Sequence, residues 1–122
     1  MKIIRAFPLE VFTQIVLTTD ATPTVIDSIV IPTDYVVDLN ITVIGIKDDA
    51  TLKWDSHCLA GYANDSGTTT LEGTFTNAHK EGPAVWDVTP VLNSPNVDIT
   101  VTGDGGTNIN WKSVTILTKR EA

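Results

Sequence analysis

The stretch Tyr35-Val36-Val37-Asp38-Leu39-Asn40-Ile41-Thr42-Val43-Ile44-Gly45-Ile46 decides how the rest of the chain is read. Val37, Leu39, Ile41 and Val43 fall on one side of an extended backbone, with Asp38, Asn40 and Thr42 on the other. Successive side chains of a strand point to opposite faces, so strict alternation marks a strand with one face in a core and one in water. An amphipathic helix would return its apolar residues every three or four positions, and this stretch does not.

The same period recurs outward from it. Toward the N terminus lie Thr24 to Ile31, stopped by Pro32-Thr33-Asp34, and Val11 to Thr19, which ends in Thr19-Asp20-Ala21-Thr22-Pro23. Toward the C terminus, Lys47-Asp48-Asp49 turns the chain into Ala50 to Ala63. There Leu52, Trp54, Cys58, Ala60 and Tyr62 share a face against Lys53, Asp55 and His57. Asn64-Asp65-Ser66-Gly67 supplies side-chain acceptors and a glycine for a tight turn. Thr68 to Asn77 sets Leu71 and Phe75 on one face, and a loop runs through Lys80-Glu81-Gly82-Pro83. Ala84 to Leu92 carries Trp86 and Val88, and Pro90 restricts its end to a sheet edge or a bulge. Asn96 to Thr102 points Val97, Ile99 and Val101 inward, and Gly103-Asp104-Gly105-Gly106 leads to a last strand, Thr107 to Thr118. About eight short strands at regular spacing predict an all-β chain folded as a single antiparallel β-sandwich, jelly-roll-like in its connections. Residues 13–122 make the sandwich. Residues 1–12 are an N-terminal arm or its first strand.

Composition agrees. At 122 residues, 42% hydrophobic and 19% charged, the chain suits one globular domain. Thr, Val and Ile are abundant, and β-branched side chains fit a pleated surface better than a helix. A net charge of −7 with no Lys/Arg stripe argues against nucleic acid as a partner. The single Cys58 leaves no disulfide framework to expect. Arg5, Pro8 and Glu10 interrupt any secretory core, and no run is long enough for a membrane helix, so the expectation is a soluble protein made in the cytosol with no membrane insertion.

No catalytic pattern is present: no Gly-x-Ser-x-Gly elbow, phosphate loop, His-Glu-x-x-His or paired-cysteine zinc motif. The expectation is a protein that is not an enzyme and takes no cofactor. His57 and Cys58 are strand neighbours, so they point to opposite faces and grip one metal poorly, and His79 falls in a predicted loop. Cys58 reads as a small buried hydrophobe and the imidazoles as surface groups. Asp48, Asp49, Asp65 and Asp104 lie in turns, where Asp bonds its own backbone, and lack the alternating oxygen ligands of a calcium loop. Trp54, Trp86 and Trp111 each fall on the apolar face of their segment, so core packing outweighs a role in stacking on sugars. Tyr35, beside Asp34 at a strand entrance, is the better candidate for a ligand contact.

Four stretches carry a family resemblance. They are Thr18-Thr19-Asp20-Ala21-Thr22-Pro23-Thr24-Val25-Ile26; Asp38-Leu39-Asn40-Ile41-Thr42-Val43-Ile44-Gly45; Ala84-Val85-Trp86-Asp87-Val88; and Val97 to Gly103 followed by Gly105-Gly106-Thr107-Asn108-Ile109-Asn110-Trp111. In order and spacing, over residues 16–118, they resemble a small β-domain that recurs in tailed-phage virion proteins as a module of tail fibres, tail-spike-like proteins or head fibres. The chain departs from that pattern at Lys47-Asp48-Asp49, where members of the family carry more Arg and Gly. The resemblance implies a virion location after synthesis in the host cytoplasm, a scaffold built by the shared residues, and no active-site residues. It also implies a structural or accessory role, as a capsid decoration or fibre-like subunit. A carbohydrate-binding adhesin for host surface glycans is the alternative.

The expected partners follow: a second copy of the chain, with a trimer favoured by analogy to virion threefold sites, and a phage capsid or tail protein. Two features nominate interface residues. Ile3, Ile4, Phe7, Leu9, Val11 and Phe12 crowd the N-terminal segment, which reads either as one more strand or as an arm that docks elsewhere. Thr24 to Ile31 sets Val25, Ile29 and Ile31 opposite Ile26 and Val30, and the last strand sets Val114 and Ile116 opposite Ile109, Trp111 and Leu117. Apolar residues on both faces imply a second burying surface, unless a bulge reverses the facing mid-strand.

Overall fold

The computed structural model describes residues 9–80 and 85–121, without the side chains of 75–80. Eight strands follow one another: β1 (Leu9–Thr18), β2 (Thr24–Val30), β3 (Tyr35–Lys47), β4 (Lys53–Asp65), β5 (Thr68–Lys80), β6 (Asp87–Asn93), β7 (Asn96–Thr102) and β8 (Ile109–Glu121). No helix occurs among the described residues. The strands form a five-stranded sheet, ordered β1-β8-β3-β4-β5, and a three-stranded sheet, ordered β2-β7-β6, antiparallel throughout. First pairs with last and second with seventh, a jelly-roll-like nesting, while β3, β4 and β5 run as a meander. The all-β sandwich read from period-two alternation is the fold observed.

The core lies between the sheets. Val37, Leu39, Ile41 and Val43 of β3 are buried on the inner face, as their alternation requires, facing Ile29, Val97, Ile99 and Val101 of the small sheet. The three tryptophans join this core. Trp111 meets Trp54 edge-on at 5.9 Å between centroids and Trp86 at 5.8 Å, arrangements that aromatic rings favour. One row across the large sheet explains how they fit. Trp54 of β4, Gly45 of β3 and Trp111 of β8 stand side by side, and the Trp111 ring lies over the glycine. A Cβ on Gly45 would sit 2.7 Å from Cζ3 of that ring, so only glycine leaves the room. Trp111 Nε1 donates to Thr18 Oγ1 at 2.9 Å and Trp86 Nε1 to Asp104 Oδ2 at 3.1 Å, so two of the three indole donors are satisfied.

Polar latches close one end of the sandwich. Asn64 is buried at the end of β4; its Nδ2 donates to the Ile31 carbonyl at 2.8 Å and its Oδ1 accepts from Gly67 N at 2.8 Å. Thr69 N donates to Ser94 Oγ, and Thr69 Oγ1 donates to the Pro95 carbonyl, tying β5 to the β6–β7 turn. Ser66 and Gly67 both have positive φ, 55° and 98°, the two-residue turn whose twist matches a hairpin.

One strand facing needs correction, and a bulge is the reason. In β2 the register shifts between Val25 and Asp27, so Ile26, Ile29 and Ile31 are all buried while Val25 and Val30 are exposed. The extra residue reverses the facing, and the apolar pattern of β2 no longer calls for a second surface. In β5 the register shifts beside Gly61 and Tyr62. Leu71 then opposes the inward Tyr62, and the side chain of Phe75, expected on the same face, lies outside the described residues. β5 also continues to Lys80, which places His79 in a strand and not in a loop.

Candidate functional site

β8 has no such shift. It pairs with β1 and β3 without interruption, and its facing alternates cleanly: Ile109, Trp111, Ser113, Thr115 and Leu117 buried, Val114 and Ile116 half-buried on the far side. That far side is the outer face of the large sheet. Cross-strand register brings other apolar residues to it. β1 contributes Leu9, Val11, Ile15 and Leu17, all exposed, because they oppose Thr118, Ile116, Lys112 and Asn110. β3 adds Val36 and Ile44, and β4 adds Leu59. Ile15, 76% exposed, is the most open large hydrophobic among the described residues. A shallow groove of about 410 Å³ runs between Ile15 and Leu17 on one side and Ile44 and Ile46 on the other, floored by Asn110 and Lys112. Soluble monomers rarely leave so many large apolar side chains together in water.

The nominated residues scatter over several places. Ile3, Ile4 and Phe7 lie outside the described residues. Leu9 sits on the outer face of β1, with Val114 and Ile116 beside that strand on β8. Phe12 points the other way and packs, half-buried, against the sandwich's own core. Val30 is exposed at the end of β2, on the other sheet, and is not brought together with Val114. Tyr35 is half-buried at the start of β3; Lys119 Nζ stands 5.4 Å from its ring centroid and also donates to Glu10 Oε1 at 2.9 Å. The Glu10 hydrogen bond, helped by its charge, raises the Lys119 pKa above its ordinary value. That ammonium occupies one face of the tyrosine ring.

The chemistry-bearing side chains fall into structural roles. Cys58 is buried on the inner face of β4, and His57 is on the outer face, with Nδ1 3.3 Å from Thr42 Oγ1. Asp20 accepts from Thr22 N at 2.8 Å, which holds its carboxyl below the usual value. Asp49 accepts from both the hydroxyl and the backbone of Thr51, with the same effect. Asp48 accepts from Asn110, and Asp104 from Trp86. Among the described residues, no three His, Cys, Asp or Glu side chains come together as a metal site would need. Asp27 is different: it sits at the β2 bulge with one carboxylate oxygen buried and unpartnered, and burial raises its pKa against the opposing hydrogen bond from Ser28 N.

Of the apolar residues on this face, sequence reasoning nominates Val114 and Ile116 and passes over Ile15 and Leu17. The signal was there: Leu9, Val11, Thr13, Ile15 and Leu17 occupy every second position. It was masked because Phe12 and Val16 between them are apolar too, so neither face looks wet.

No protein-family model and no curated protein matches the chain. Among solved structures, it is similar to the tailspike protein gp49 of Acinetobacter baumannii bacteriophage Fri1, a capsular polysaccharide depolymerase. The TM-score is 0.48 at 13% identity, over 93% of this chain and 20% of that one. The tailspike protein of A. baumannii phage AM24 gives 0.45 at 9% identity, over 92% and 26%. That of Acinetobacter phage vB_ApiP_P1 gives 0.44 at 13%, over 99% and 24%. The chain thus spans a fifth to a quarter of the length of the tailspikes it matches. At these scores the likenesses assign it no function.

Proposed function

We propose that this chain is a structural or accessory module of a bacteriophage particle that works by protein–protein contact, without catalysis, through the outer face of its five-stranded sheet. The observation that carries the reading is that face. Leu9, Val11, Ile15, Leu17, Ile44 and Leu59 are at least half exposed there, on a scaffold in which Asp20, Asp48 and Asp49 are engaged in turn hydrogen bonds. The virion context rests on the sequence resemblance over residues 16–118. The partners are a capsid or tail protein and further copies of the chain.

A glycan adhesin has less support. Sugar-stacking sites need an open aromatic face, and Trp54, Trp86 and Trp111 are all buried while Lys119 covers Tyr35. The test is particle association. Particles of the encoding phage, purified through a density gradient and probed with antibody, should carry the chain, and chain carrying Ile44→Lys should no longer reach them. A chain that stays at the top of the gradient, or one that binds host polysaccharide in a calorimeter and loses it on Tyr35→Ala, would overturn the proposal.

A further inference from the structure

The sandwich has four edge strands, and three of them carry features that discourage pairing with another chain. β2 has its bulge and the charge of Asp27. β5 has a bulge at Glu72. β6 holds Pro90 at mid-strand, where no backbone donor is available. Bulges, prolines and charges are how sheets keep their edges from joining. β1 has none of them. It is ten residues long, keeps one register with β8 from end to end, and contains no proline, lysine or arginine. Its one charge, Glu10, is paired with Lys119. Among the described residues no strand lies on its free side. The contrast within one molecule is what singles it out.

We infer that β1 pairs antiparallel with β1 of a second copy across a twofold axis at Thr13, joining two five-stranded sheets into one. This goes beyond the virion reading and stands on the edge alone. The sequence of β1 is self-complementary in that register. Leu9 opposes Leu17 of the second copy, Val11 opposes Ile15, and Thr13 opposes Thr13, so every large apolar residue that β1 sets on the outer face gains an apolar cross-strand neighbour. Moving the axis to Gln14 would set Ile15 against Thr13 and leave Leu9 beyond its partner's strand. Phe12 and Val16 are packed against their own core, so they exert little pull on the register. Charge permits the contact as well. The two Glu10 residues lie six positions apart, about 20 Å along the strands, beyond the roughly 8 Å over which salt screens exposed charges. A chain of net charge −7 otherwise repels its own copies.

An edge paired with itself closes at two copies, so this contact alone makes dimers and not the trimers that virion threefold sites suggest. The test uses the full 122-residue chain. Light scattering on the wild type should give twice the chain mass. Thr13→Cys should then form a disulfide-linked dimer on mild oxidation, because directly opposed residues lie about 4.5–5.5 Å apart at Cα, within disulfide reach. Leu71→Cys, on the opposite edge, should cross-link far more slowly; Cys58 is buried and does not interfere. A monomeric mass up to about 1 mM, a trimeric mass, or cross-linking of Thr13→Cys no faster than that of Leu71→Cys would each overturn the pairing. Particle association can survive or fail independently of all three results.

Discussion

Replacing Gly45 by alanine should destabilise the sandwich by about 1–3 kcal/mol, the usual cost of forcing a methyl into a packed core. The added Cβ would stand 2.7 Å from Cζ3 and 2.8 Å from Cε3 of Trp111. Carbon atoms rest at about 3.5–4.0 Å, so the ring or the strand must yield by about 1 Å. Neither is free to do so. The ring is held by Trp54, by Trp86 and by the hydrogen bond from its Nε1 to Thr18, and β3 is held by strands on both sides. Elsewhere the sign would be reversed. Gly45 has no left-handed φ, and alanine at an uncrowded glycine stabilises by about 0.4–1 kcal/mol through the unfolded chain. Urea unfolding followed by fluorescence measures the difference, in the wild type and in a Trp111→Leu background. With the indole gone, Gly45→Ala should cost little or become favourable. A Gly45→Ala protein as stable as its parent, or an equal cost in both backgrounds, refutes the account of a ring lying over a glycine.

Trp86→Ala and Trp111→Ala should each lose about 3–5 kcal/mol, as large buried aromatics do, read by the same unfolding curves. Asn64→Ala should cost about 1–3 kcal/mol, because it leaves the Ile31 carbonyl and the Gly67 amide without their partner. Asp27 holds its proton more tightly in the folded chain than the ordinary value of 3.8. Its stabilising contribution is therefore complete below that value and is lost as pH rises through the folded pKa. Asp27→Asn should flatten this decline, seen as a melting temperature that falls less between acid and neutral pH than that of the wild type. Val114→Lys, beside Thr13 on the outer face, should weaken self-association or docking while far-ultraviolet dichroism stays native. Val30→Lys, on the other sheet, should leave it intact, and the opposite ranking would move the contact surface to the small sheet.

The alternation along Tyr35–Lys47 was sufficient to read β3, its inner face and the class of fold, because a strand with one wet side must separate apolar from polar residues every second position. The turns at Asp20, Asp49 and Gly67 were legible for a similar reason: Asp and Gly act on their own backbone within two or three residues. Where facing depended on a partner strand, the sequence misled. The bulges beside Ile26 and Glu72 exist only in pairing with β7 and β4, and the first redirects Ile29 without any local mark. The same holds for the surface argued to be functional. That Ile15, Leu17, Ile44 and Leu59 share one face is decided by the register of β1, β8, β3 and β4, of which β8 lies far along the chain from the other three. That β1 is a bare edge is decided by the sheet order. Local period and turn chemistry are written residue by residue, so the sequence alone determined the strands and most of the core. Sheet order and register arise from contacts between distant segments, and only the tertiary structure could decide which apolar residues stay in water.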